Sequence, residues 1–198
     1  MKILLSSNMR IVKKYVKENA KIGFIPTASE LDNNRYYMEE SRNNLKEMNF
    51  NIIDIEISRE SKKGILNKFN DIDAIFVAGG NCFYLLQQLK KKDILQDLTE
   101  FANNRIYIGS SAGACITCPS IDYAEKLDNK KEAPLLNDYN GMDLINGYIL
   151  PHYNSKEKYT KLANEIIEEH PNLNFITLTN QEAIIVNTRN DYTIVNTD

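Results

Sequence analysis

Hydrophobic positions along this chain fall into two alternating patterns. Short, nearly unbroken apolar runs at 2–7 (KILLSS), 21–26, 51–57, 73–80 and 105–109 predict strands. Runs without polar alternation suit strands covered on both faces. Between them, apolar residues recur at helical spacing at about 8–17, 33–48, 60–69, 81–90 and 93–103. A further helical stripe over 155–170 carries Tyr159, Leu162, Ala163, Ile166 and Ile167, and Pro171 stops it. The tail after Pro171 reads as two or three short strands separated by polar turns.

Strands alternating with helices predict an α/β fold: a three-layer, doubly wound, mostly parallel sheet. No repeat or linker interrupts the chain, so residues 1–198 are expected to form one domain. Residues 118–143 break the alternation and read as a polar, loop-like insertion, expected to lie near the site and restrict access. In sheets of this kind ligands bind at the carboxyl ends of the strands.

Charge narrows the function classes. The net charge is −3, with acidic and basic residues interleaved. This argues against nucleic-acid or anionic-membrane binding, which needs a basic face. The basic runs Lys13-Lys14 and Lys90-Lys91-Lys92 read as solvated helix faces. No apolar run approaches the roughly 20 residues of a membrane span, and the apolar stretch after Met1 is too short for a signal peptide. A cytoplasmic setting is expected. Of the three cysteines, Cys115 and Cys118 form a lone C-x-x-C without a second pair. They read as buried thiols, and neither a metal nor an organic cofactor is implied.

Two glycine-rich stretches end predicted strands: Gly79-Gly80-Asn81, and Gly109 to Gly113 within IYIGSSAGA. The second matches G-x-S-x-G with Ser111 at its centre, between a strand and the start of a helix. That is the setting of a nucleophile elbow, where small neighbours allow a tight turn that projects the hydroxyl. A serine nucleophile needs a base, and the chain has two histidines. His170 continues an apolar stripe at a helix end, where packing and the helix dipole account for it. His152 follows Ile149-Leu150-Pro151 at a strand end, where either a base or a surface histidine fits. Asn81 reads as a helix cap or as part of a pocket, and the glycine pair before it can offer backbone N–H groups to developing negative charge.

VAGGNCFYLLQQL, then IYIGSSAGACITCPS, then LPHYN, in that order, resemble the peptidase E family of serine peptidases, which includes aspartyl dipeptidase and is related to cyanophycinase. The resemblance implies a fold like that of class I glutamine amidotransferases, with Ser111 where those enzymes carry cysteine. It also implies Ser111 as nucleophile, His152 as base, and the Gly80 and Ala112 N–H groups as oxyanion hole. Asn81 matches the family's G-G-N asparagine and would line the substrate pocket. The family's third catalytic residue is an acid in a turn before a late strand. Matching that turn to LTNQEAIIV puts Asn180 at its position, with Glu182 two residues on as the alternative.

The implied substrate is a small peptide, handled by a monomer or homodimer. The family's arginine for an N-terminal aspartate has no counterpart after LPHYN. Lys156, Lys158 and Lys161 are the only cations there, and lysine lacks the bidentate fork. Strict Asp-X dipeptidase activity is therefore not expected. The other readings on this fold are a catalytically idle small-molecule binder and a hydrolase of another amide or ester.

Overall fold

The computed structural model describes residues 2–6 and 11–197. Five strands lie parallel: β1 (Lys2–Ser6), β2 (Lys21–Ile25), β3 (Asn51–Asp54), β4 (Ala74–Val77) and β5 (Ile106–Ser110). Two antiparallel strands, β8 (Glu182–Thr188) and β9 (Asp191–Asn196), extend the sheet beyond β1. The order is β3-β2-β4-β5-β1-β8-β9. The expected α/β, mostly parallel architecture is what the chain adopts.

Unbroken apolar strands arise because both faces are covered. Ile3, Leu5, Ile75 and Val77 join one core cluster, while their neighbours Leu4, Ala74 and Phe76 join a second on the opposite face. Helices α1 (Val12–Tyr15) and α2 (Tyr36–Glu47) cover the smaller cluster. Helices α3 (Lys62–Asp71), α4 (Cys82–Lys91), α5 (Leu95–Asn104) and the short α6 (Ala112–Cys115) cover the larger. Phe24 and Phe76 stack across adjacent strands with ring centroids 5.5 Å apart, and burying each such side chain stabilises by about 1.5–3 kcal/mol.

Three expectations need revision. The helix expected over 8–17 is observed only as α1, and residues 8–10 of that span lie outside the described residues. The late segments do not all join one sheet: β6 (Tyr148–Pro151) and β7 (Phe175–Leu178) pair in parallel as a separate two-stranded sheet, with α7 (Glu157–Glu169) between them in sequence. The 118–143 stretch is a packed strap, not a loop over the site. Ile121, Tyr123, Ala124 and Ala133 in it are buried. Its polar groups tie it to α4: Asp128 accepts from the Cys82 N–H (2.8 Å) and the Leu135 N–H donates to Gln87 (2.7 Å).

Candidate active site

The carboxyl ends of β1, β2, β4 and β5 meet at one edge of the main sheet, and the glycine-rich stretches sit there. Ser111 follows β5 with φ 49° and ψ −106°, a conformation that L residues adopt only when the surroundings enforce it. The enforcement is visible. The Ser111 N–H donates to the Ser6 carbonyl at the end of β1 (3.1 Å), and the Ser111 carbonyl accepts from Ala114 and Cys115 in α6 (2.8 and 3.0 Å). Gly113 must lack a side chain, because a Cβ there would meet the Val77 carbonyl at 2.4 Å. Gly80, after β4, has φ +134°, and a Cβ on it would lie 2.2 Å from the Ala28 carbonyl. Among the described residues the Gly80 and Ala112 N–H groups donate to no other protein group.

His152 stands one residue past β6, with φ 62°. Its Nε2 is 3.0 Å from Ser111 Oγ, and its Nδ1 is 2.9 Å from Asn180 Oδ1. Because an asparagine oxygen can only accept, Nδ1 carries the proton in this arrangement, leaving Nε2 to accept from the serine hydroxyl. Asn180 lies in the turn between β7 and β8. Burial lowers the His152 pKa below its ordinary 6.5; the bond to Asn180 opposes this, and the Lys156 charge adds to it. The Tyr159 ring on α7 packs beside the imidazole, centroids 5.7 Å apart.

The other expected site residues are placed differently. The Glu182 carboxylate accepts from the Thr179 N–H (2.9 Å) and so braces the Asn180 turn from within, rather than backing His152. Asn81 does not line the cavity above Ser111. Its Oδ1 caps α4 by accepting from Phe83 and Tyr84 (2.9 and 3.0 Å), and its Nδ2 donates to the Asn129 carbonyl and Glu132 (2.9 and 2.8 Å). Its polar atoms are thus occupied by the cap and the strap. His170 is the C-cap residue of α7. Cys82, Cys115 and Cys118 are free and buried.

A cavity of about 450 Å³ opens over Ser111, Gly80 and His152. Its far wall is the segment from Asp32 into α2, including Tyr37 and Glu40. That wall has no motif to betray it, since it is recruited from a remote part of the chain by packing alone. Among the described residues, Lys156, Asp32 and Glu40 are the charged side chains on the lining. Burial and nearby Glu132 raise the Asp32 carboxyl above its ordinary value.

A model of peptidase family S51 matches residues 3–193. An uncharacterized peptidase of Pasteurella multocida is 34% identical over 172 residues, covering 86% of this chain and 83% of that one. A peptidase E of Nostoc is 31% identical over 136 residues, 67% of this chain and 52% of that one. A crystal structure of a protein from Listeria monocytogenes EGD-e, provisionally named peptidase E, superposes with a TM-score of 0.89 at 30% identity, covering 98% of both chains. The family resemblance read from the three ordered motifs therefore holds across nearly the whole chain.

Proposed function

The chain belongs to peptidase family S51 and is a serine-type peptidase, and from that premise we propose that Ser111, His152 and Asn180 hydrolyse small peptides through an acyl-enzyme. The observation that carries this reading is the imidazole bridging Ser111 Oγ and Asn180 Oδ1 at 3.0 and 2.9 Å. His152 Nε2 takes the hydroxyl proton as Ser111 Oγ attacks the peptide carbonyl, and the Oγ–C bond forms. The carbonyl π electrons move onto oxygen, where the Gly80 and Ala112 N–H groups receive the negative charge. Each such donor is worth roughly 10²–10³ in rate elsewhere. Collapse breaks the C–N bond, and His152 returns the proton to the departing amine. Water, deprotonated by His152, then hydrolyses the ester and restores Ser111.

Asn180 holds the imidazole in the productive tautomer without supplying a negative charge to the imidazolium. The cavity is sized for a short peptide or another small ligand. A fluorophosphonate probe should label Ser111, and Ser111→Ala should abolish labelling and lower dipeptide hydrolysis by about 10³-fold or more. A well-folded protein that neither labels nor turns over peptides, yet is stabilised equally by a small ligand in both forms, would instead be an idle binder.

A further inference from the structure

The three proposed catalytic side chains hang from two sheets. Ser111 follows β5 of the seven-stranded sheet, while His152 and Asn180 follow β6 and β7 of the small one. The separation between His152 and Ser111 is therefore set by how the small sheet is fastened to the elbow helix α6. Ile149, three residues before His152, is where the two meet. Its N–H donates to Cys118 Sγ (3.3 Å) and its carbonyl accepts from the Tyr123 hydroxyl (2.6 Å). The Cys118 thiol and Tyr123 hydroxyl lie 3.8 Å apart. Because the one phenolic proton goes to Ile149, the thiol is the donor between them. The result is a closed ring in which the backbone of one strand residue is satisfied on both sides by buried side chains. Cys115, on α6 itself, also reaches the Ile149 carbonyl (3.8 Å).

Burial keeps the ring protonated: it pushes Cys118 up to about 11 and holds the Tyr123 phenol well above its ordinary value. Neither group reaches the cavity, and neither is needed for acyl transfer itself. We propose that Tyr123 and Cys118 are positioning residues, whose hydrogen-bonded ring with Ile149 sets the stance of His152 against Ser111. The proposal rests on the acyl-transfer reading above for its kinetic consequence, though not for its structural one. The strand from Ile149 to His152 is a lever of about 10 Å, and a misplacement of about 1 Å at a reacting group can cost roughly 10²-fold.

Tyr123→Phe tests it without opening a cavity, since the ring keeps its edge contacts with Tyr148 and Phe175 (centroids 5.4 and 5.6 Å). Cys118→Ala removes the acceptor for the Ile149 N–H, and Cys118→Ser retains one. Two readouts are taken: the rate of Ser111 labelling by a fluorophosphonate, and the NMR titration of the His152 ring, one of only two histidines in the chain. Among the described residues, the groups facing that ring include Ser111, Asn180, the Lys156 charge and the Tyr159 ring. Tyr123→Phe and Cys118→Ala are expected to slow labelling roughly 10- to 100-fold and to lower kcat with KM nearly unchanged. The His152 pKa should rise toward its ordinary value as the ring loosens into solvent, and Cys118→Ser should recover most of both. A folded Tyr123→Phe protein whose His152 titrates as in the wild type overturns the proposal, whatever its rate. So do equal losses in Cys118→Ala and Cys118→Ser. A wild-type protein that does not label sinks the acyl-transfer reading instead, and the His152 titration alone then decides the positioning.

Discussion

His152 Nε2 stands 3.0 Å from Ser111 Oγ although one residue follows a strand of the small sheet and the other a strand of the large one. Both have positive φ, 62° and 49°, so each side chain is aimed by a backbone bend at a strand end. Asn180 reaches the far side of the imidazole from the strand neighbouring β6. The proposed base and its proposed orienting partner thus both follow strands of the small sheet, while the serine follows one of the large.

The state of that imidazole sets the pH dependence. Burial, reinforced by Lys156, outweighs the bond to Asn180 and holds the His152 pKa below 6.5. The acid limb of kcat/KM should accordingly have its midpoint below 6.5, and Lys156→Ala should move it upward. Linkage runs the same way. The folded state favours neutral His152 and the unfolded state binds its proton more readily, so this contribution to stability is present above about 6.5 and lost as pH falls through the lower folded value. Urea melts across that window would check the slope.

Replacing the neutral partner by a charged one should reverse the shift. In Asn180→Asp a carboxylate beside Nδ1 would favour the imidazolium and raise the acid limb by about one unit or more. Activity at pH 8 should equal or exceed that of the wild type. Asn180→Ala, which leaves Nδ1 without its acceptor, should lower kcat by about tenfold or more. A pH–rate profile of the three proteins distinguishes a working orienting residue from a bystander.

Gly80 is constrained by both its dihedral and its surroundings, with φ +134° and the Ala28 carbonyl 2.2 Å from where a Cβ would sit. Gly80→Ala should destabilise the fold by about 1–3 kcal/mol, seen as a melting temperature lower by roughly 2–10 °C. Because the displaced N–H is also the proposed oxyanion donor, kcat should fall about 10²-fold in the protein that remains folded.

Charge on the cavity wall bears on the substrate. Asp32 and Glu40 face the cavity, and Lys156 lies beside His152. Among the described residues, an acidic side chain on the substrate would meet two carboxylates, with Lys156 as the cation on the lining. In a dipeptide panel, Asp-Leu should be cleaved no faster than Ala-Leu and more slowly than Lys-Leu. Asp32→Asn should narrow the gap between Asp-Leu and Lys-Leu, read as a change in KM more than in kcat.

Much of this was written into local sequence. Unbroken apolar runs such as AIFV over Ala74–Val77 mark strands covered on both faces, whatever their order. The elbow is legible because its small residues answer to contacts that admit nothing larger, as Gly113 against Val77 illustrates. By position alone His152 reads equally as a base or a surface histidine, and the family resemblance singles it out as the proposed base. The late turn was different. Asn180 and Glu182 are two residues apart, and which of them faces His152 depends on where β8 begins. Glu182 opens that strand opposite Asn196 and turns its carboxylate back to Thr179, leaving the turn position to Asn180. Asn81 was ambiguous for the same kind of reason, since a cap and a pocket wall demand the same residue type.

What sequence alone determined, then, were the features set by neighbours along the chain: the strands and the small-residue turn that follows one of them. Tertiary structure decided the rest. It detached β6 and β7 into their own sheet, folded the 118–143 strap against α4, and brought Asp32 and α2 over the cavity. These choices depend on which apolar faces find each other across long sequence separations, and no local pattern records that. Ile149 is the sharpest instance: an ordinary strand residue by its pattern, it ties the small sheet to the segment following α6 because buried Cys118 and Tyr123 satisfy its backbone.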